Sequence, residues 1–80
     1  MTEQQIQKKR IDQLEAEGYY VIKLIKTNKN GIPDIIAIPP GTPVIFSEIK
    51  TPKGRTSKIQ EYRLKELKKY GFKTEIYNGI

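Results

Sequence analysis

Three charged residues stand at the ends of two apolar runs in the stretch NGIPDIIAIPPGTPVIFSEIKTPKGR, residues 30–55. Asp34 opens the first run, and Glu48 and Lys50 close the second. Two carboxylates held near one another are costly unless a cation lies between them. A divalent cation so held suits the hydrolysis of a phosphodiester, because it stabilises charge on the phosphate and lowers the pKa of a bound water. A lysine beside it can orient or activate that water and offset developing negative charge. The backbone carbonyl of Ile49, between Glu48 and Lys50, is a natural further oxygen ligand. Taken singly, each residue has a blander account. Glu48 and Lys50 are then a solvated pair at a strand end, and Asp34 a turn residue after Gly-Ile-Pro.

Composition narrows the chemistry. The 80-residue chain has no cysteine and no histidine. Disulfides, thiolate metal sites, zinc chemistry and Ser-His or Cys-His catalysis are therefore excluded. Any metal must take oxygen ligands, which favours Mg2+ or Mn2+. Fifteen Lys and Arg against nine Asp and Glu give a net charge of +6. That balance fits a polyanionic partner such as nucleic acid, and equally a solvated lysine-rich surface. The polar start MTEQQIQKKR and the absence of a long apolar run predict no signal peptide and no membrane span. The expectation is one domain over residues 1–80, acting in the cytoplasm. So small a core has a thin stability margin, which favours a homodimer or a stabilising ligand.

The elements that must position these residues are readable in outline. Thr2 with Gln5 has the spacing of a helix capping box. The first helix should run to about Glu17, burying Ile6, Ile11 and Leu14, with Gly18 as its stop. Residues 19–26, YYVIKLIK, predict a first strand. DIIAI, apolar on both faces, predicts a central strand covered on both sides, and PPGT turns the chain into PVIFSEIK, an antiparallel third strand. Ser57 with Gln60 repeats the capping-box spacing. It predicts a helix to Tyr70 with Ile59, Tyr62 or Arg63, Leu67 and Tyr70 on one face, ended by Gly71. FKTEIY is the last strand, and a helix between two strands implies a right-handed crossover with parallel pairing. The order is αβββαβ, an α/β fold with a mixed four-stranded sheet flanked by helices.

Parity then locates the charges. Val44, Phe46, Glu48 and Lys50 share one face of the third strand. If strands two and three pair through the turn, Asp34 and the Glu48–Lys50 end lie at the same edge of the sheet.

Pro33-Asp34 and Glu48-Ile49-Lys50, in this element order, resemble the PD-(D/E)xK nuclease superfamily. More narrowly the chain resembles the VRR-NUC family, the virus-type replication and repair nucleases. The residues that carry this likeness run nearly end to end: Glu3 with Ile6-Gln7, Gly31-Ile32-Pro33-Asp34, Glu48-Ile49-Lys50-Thr51-Pro52, Gly54-Arg55 and Gln60. The resemblance implies a Mg2+- or Mn2+-dependent endodeoxyribonuclease with Asp34, Glu48 and the Ile49 carbonyl as metal ligands and Lys50 as the catalytic lysine. It implies Gln60 as a supporting catalytic-site residue and Glu3 as an acidic site residue that binds metal directly or through water. Glu3 also serves as a first-turn carboxylate favourable to the helix dipole, and Gln60 as a capping residue. A stand-alone domain this short is similar to the phage-type members, which implies a homodimer acting on branched DNA, four-way (Holliday) junctions above all.

With no further DNA-binding domain in these 80 residues, grip on DNA falls to this domain or its dimer mate. Lys53, Arg55 and Lys58 in TPKGRTSK are the first candidates for phosphate contact, then Lys29 and the Lys8-Lys9-Arg10 cluster. The lysines of RLKELKK read as a solvent face, and Tyr19, Tyr20 and Tyr62 as core aromatics with base stacking as the alternative. Against the nuclease stands a module that keeps the nuclease fold and binds nucleic acid without cutting. A sequence-specific restriction-type nuclease ranks lower, because the chain is short for a base-reading element.

Overall fold

The computed structural model describes residues 1–41 and 43–79. Thr42 of the expected Pro-Pro-Gly-Thr turn lies outside the described residues, as does Ile80. The chain runs α1 (Glu3–Ala16), β1 (Tyr20–Lys23), β2 (Ile35–Ile38), β3 (Ile45–Ile49), α2 (Lys58–Lys69) and β4 (Lys73–Tyr77). This is the α/β nuclease-core order expected, with a mixed four-stranded sheet in the order β1-β2-β3-β4. β1 with β2 and β2 with β3 are antiparallel, and β3 with β4 is parallel.

Both helices start as their sequences dictate. Thr2 and Ser57 each accept from the backbone of the residue three on, and Gln5 and Gln60 return a bond to the cap backbone. Such reciprocal caps satisfy two otherwise orphaned donors. Gly18 and Gly71 follow the helix ends with φ of 92° and 89°, a left-handed conformation that glycine adopts without steric cost.

α1 lays Ile6 and Leu14 on the face of the sheet made by Ile35, Ala37 and Ile49, with Ile11, Tyr19, Val21, Ile45 and Tyr77 packed around them. A clasp locks the same face: the Arg10 guanidinium bonds both oxygens of Glu75 at 2.8 Å, and Ser47 Oγ donates to Glu75. Arg10 also lies 4.9 Å from the Tyr77 ring centroid.

The other face differs from expectation in three ways. β2 is covered fully on one side only: Ile35 and Ala37 are wholly buried, whereas Ile36 is half-buried and Ile38 exposed. β1 is four residues long, not eight. Beyond its ladder one further bond, from Leu24 N–H to the Asp34 carbonyl, continues the pairing with β2. α2 buries Leu64 and half-buries Gln60, Arg63 and Leu67, while Ile59, Tyr62 and Tyr70 stay exposed. The helix is rolled so that Gln60 in its first turn meets Glu48, and the core stripe therefore runs Gln60–Leu64–Leu67. Tyr20 is likewise on the surface and Tyr19 partly buried against the core, so of the three expected core tyrosines only Tyr19 packs there. No helix among the described residues is long and apolar enough to cross a membrane.

Candidate active site

The register of the β2–β3 pair sets the site. Ile35 faces Ser47 and Ile36 faces Phe46, so one step beyond the ladder Asp34 faces Glu48, and one further Pro33 faces Ile49. Directly opposed side chains share a face of the sheet, with Cβ atoms roughly 5 Å apart. The parity reading of Asp34 and Glu48 at one sheet edge therefore matches the pairing observed.

Each carboxyl is held differently. Asp34 Oδ2 accepts from the Ile49 N–H at 2.7 Å, and its own carbonyl accepts from Leu24 N–H at 2.7 Å. Within an extended strand the N–H and C=O of one residue point to the same side. The Ile49 carbonyl therefore points towards β2, where Pro33 has no N–H to offer it. The proline before Asp34 thus leaves an oxygen beside the carboxylates that the sheet does not occupy.

Glu48 is 2% exposed. Its Oε2 accepts from Gln60 Nε2 at 3.2 Å and lies 3.8 Å from Lys50 Nζ. Its Oε1 is buried with no hydrogen-bond partner. An unsatisfied carboxylate oxygen in the interior is expensive. Burial, reinforced by the negative charge of Asp34 and of Glu3, pushes the Glu48 carboxyl up to about 8, against the pull of Lys50. A carboxyl poised this way is either protonated or in need of a cation.

Gln60 is set by two contacts at once. Its Oε1 accepts from Ser57 N–H at 2.9 Å while its amide donates to Glu48. The loop before Asp34 and the start of α2 are locked together. Arg63 Nε donates to the Asn30 carbonyl at 2.9 Å, and Gly31, at φ 79°, lies so close to Ile59 that a Cβ there would meet it at 2.9 Å.

Glu3, at the first turn of α1, is exposed and acts on Glu48 through space. No group of three or more acidic side chains set to hold a metal ion occurs among the described residues, so Glu3 does not close a triad with Asp34 and Glu48.

Two hollows flank the carboxylates. One of about 340 Å3 is lined by Asp34, Gly31 and the polar loop that carries Lys26 and Lys29. The other, about 350 Å3, is lined by Lys50, Gly54, Arg55 and Glu61. Lys29, Lys53, Arg55 and Lys58 are all exposed, and none makes an ion pair among the described residues. Arg10 is different: its guanidinium is engaged by Glu75, which takes it out of the set of free phosphate contacts. Its neighbours are committed too, Lys8 to Asp12 and Lys9 to the Gly79 carbonyl. The clasp was not legible because Arg10 and Glu75 are 65 positions apart. Lys26, which lines the Asp34 hollow, falls inside the strand expected over residues 19–26, whereas β1 ends at Lys23 and leaves it in the loop.

A mixed sheet that presents paired carboxylates and a lysine where its central strands meet is the core of an α/β nuclease. The VRR-NUC domain model matches residues 2–80, and the chain belongs to that family. Its function is accordingly that of a nuclease, a hydrolase with DNA as its expected substrate. No curated protein and no solved structure matches the chain.

Proposed function

We propose that the chain is a Mg2+- or Mn2+-dependent endodeoxyribonuclease that cuts branched DNA, four-way junctions in particular, as a homodimer inside the cell. The observation that carries the metal requirement is Glu48: a buried carboxyl facing Asp34, with one oxygen unpartnered and its pKa raised to about 8. The donor set fits a hard cation, since Asp34, Glu48 and the Ile49 carbonyl are all oxygens. These three would hold it, with Glu3 as an outer, water-mediated contact. A cation bound there supplies charge stabilisation on the phosphate and a more acidic water.

The protein's own groups do the rest. Gln60 fixes the Glu48 carboxylate by its Oε2 and leaves Oε1 without a partner. The Ile49 N–H fixes Asp34 by one oxygen in the same manner. Lys50 Nζ, 3.8 Å from Glu48 Oε2, would orient the attacking water and offset charge on the phosphate oxygens. Lys29 on one side, and Lys53, Arg55 and Lys58 on the other, would carry the DNA backbone across the carboxylates. Paired cuts in a symmetric junction need two such sites at a fixed separation, which a two-fold dimer provides.

The test incubates pure protein with four-way junction, flap, duplex and single-stranded DNA, each with Mg2+, with Mn2+ and with chelator. Cutting of branched substrates only with metal, lost in Asp34→Asn, Glu48→Gln and Lys50→Ala while junction binding persists, is the expected result. Wild type that cuts nothing and matches Lys50→Ala would overturn the enzymatic reading and leave a nucleic-acid-binding module. A monomer at assay concentration that still cuts junctions fully would overturn the dimer.

A further inference from the structure

The outer face of α2 carries an arrangement that the cutting site does not use. Tyr62, Lys65, Glu66, Lys69 and Tyr70 line a hollow of about 390 Å3. Tyr62 is 57% and Tyr70 76% exposed, a large aromatic area for a chain with so small a core. The Tyr62 ring is held in place: the Arg63 guanidinium sits over it, 5.4 Å from its centroid. That guanidinium is itself pinned by the Asn30 carbonyl at 2.9 Å and by Glu66 at 3.1 Å.

Charge points to the occupant. The one acid of the hollow, Glu66, is neutralised by Arg63. Lys65 and Lys69 stand four residues apart, exposed, without an ion-pair partner among the described residues. Like charges at this spacing repel across a helix turn, a cost that an anion laid over them would relieve. Aromatic rings interleaved with lysines are what an unpaired nucleic-acid strand needs, since bases stack on the rings and phosphates meet the cations. Eight residues of helix place the two tyrosines about 12 Å apart along the axis, the length of roughly three to four stacked base steps. Tyr62 lies two positions past Gln60, whose amide holds Glu48, so the hollow and the carboxylates lie on opposite sides of the same helix.

We infer that this face of α2 is a stacking platform for single-stranded nucleic acid, which holds an unpaired strand of a branched substrate while the carboxylates act on another part of it. The inference rests on the nuclease reading for its purpose, but not for its test. Binding of a fluorescein-labelled oligothymidylate is read by anisotropy in chelator, where nothing is cut. Tyr62→Ala and Tyr70→Ala should each weaken binding roughly 5- to 150-fold, the usual range for losing one base–aromatic stack. Tyr62→Phe and Tyr70→Phe should retain it, and duplex affinity should not change. Lys65→Gln with Lys69→Gln should lower the slope of log affinity against log salt by about 1.4. Circular dichroism melts check that each variant is folded.

Alanine variants that bind the oligonucleotide like wild type would overturn the platform, as would phenylalanine variants that lose as much as the alanine ones. Alanine variants that turn a dimer into a monomer in sedimentation, with strand affinity intact, would assign the face to a second copy of the chain instead. Tyrosine-dependent binding by a protein that cuts nothing would sink the nuclease reading and leave the platform standing. Junction cleavage with tyrosine-independent strand binding would do the reverse.

Discussion

Replacing Glu48 with glutamine should make the metal-free protein more stable, and increasingly so as pH rises. The Glu48 carboxyl of the folded, metal-free chain keeps its proton up to about pH 8, whereas the ordinary value is 4.5. In the unfolded chain the group ionises near that ordinary value. Between the two pH values the folded state holds one more proton than the unfolded state. Stability therefore falls as pH rises, by about 1.36 kcal/mol per unit. Over the whole window the loss approaches roughly 5 kcal/mol, comparable to the total stability of a domain this size. Because Glu48 is 2% exposed, solvent screening discounts little of this. Relaxation around the charge makes it an upper bound.

Glu48→Gln removes the titration and keeps the side chain's volume. Thermal or urea unfolding in chelator, followed from pH 4.5 to 8.5, should give coincident stabilities at the acid end and a widening gap in favour of the variant. Near pH 8 the gap should reach 10 °C or more in Tm, since about 1 kcal/mol moves a domain of this length by 4–8 °C. Other titrating groups are common to both proteins and cancel in the difference. Saturating Mg2+ should narrow the gap near pH 8, because the wild type gains about 2.7 kcal/mol at a hundredfold excess over Kd while the variant has lost one of its two facing carboxylates. Parallel curves in chelator would refute the reasoning, for then Glu48 titrates alike in both states. So would a gap that widens towards acid.

Four further substitutions, at three positions, probe the supports of the site. Gln60→Ala removes both the capping bond to Ser57 and the donor to Glu48, and should cost about 2 kcal/mol in chemical denaturation. Gln60→Glu, which can still accept from Ser57, should recover the helix cap but not DNA cleavage, because it adds a third carboxylate beside Glu48. Gly31→Ala forces a Cβ against Ile59 in a left-handed backbone, and should cost at least about 2 kcal/mol of stability, with a matching loss of cleavage as Asp34 shifts. Arg10→Ala should cost about 2–3 kcal/mol, less than for a fully buried pair since both partners keep some solvent, while leaving DNA affinity and its salt slope unchanged. An Arg10→Ala protein as stable as wild type but weak on DNA would return Arg10 to the phosphate contacts.

What could be read from the sequence was whatever depends on local chemistry. Thr2–Gln5 and Ser57–Gln60 announce their helices because a capping box is a four-residue device, and the glycines that end them act alone. Asp34 opposite Glu48 was legible because antiparallel pairing across a short turn leaves few registers to choose from. Contacts that join distant segments were not legible. α2 was expected to bury its aromatic stripe, since hydrophobicity alone favours Tyr62 and Tyr70 for the core. The helix turns the other way because its first turn has a polar task, presenting Gln60 to Glu48, and a rigid helix cannot satisfy both. The raised pKa of Glu48 was invisible for the same reason, as it arises from burial in the folded chain and from the facing Asp34.

The placement of the site on an antiparallel pair has a consequence for how tolerant the fold can be. Side chains alternate faces along a strand, so a slip of one residue between β2 and β3 would set Asp34 against Ser47 or Ile49 and send the carboxylates to opposite sides of the sheet. No one-residue slip could bring the two acids to one cation. The devices that forbid a slip lie away from the acids themselves. Ile35 and Ala37 must face α1 to be buried, Pro33 ends the ladder because it has no N–H, and Ser47 must reach Glu75 on β4. Glu75 in turn must meet Arg10 on α1. The clasp from α1 through β4 to β3 is thus as much a support of the facing acids as the strands that carry them. Breaking it loosens the register that brings Asp34 and Glu48 face to face.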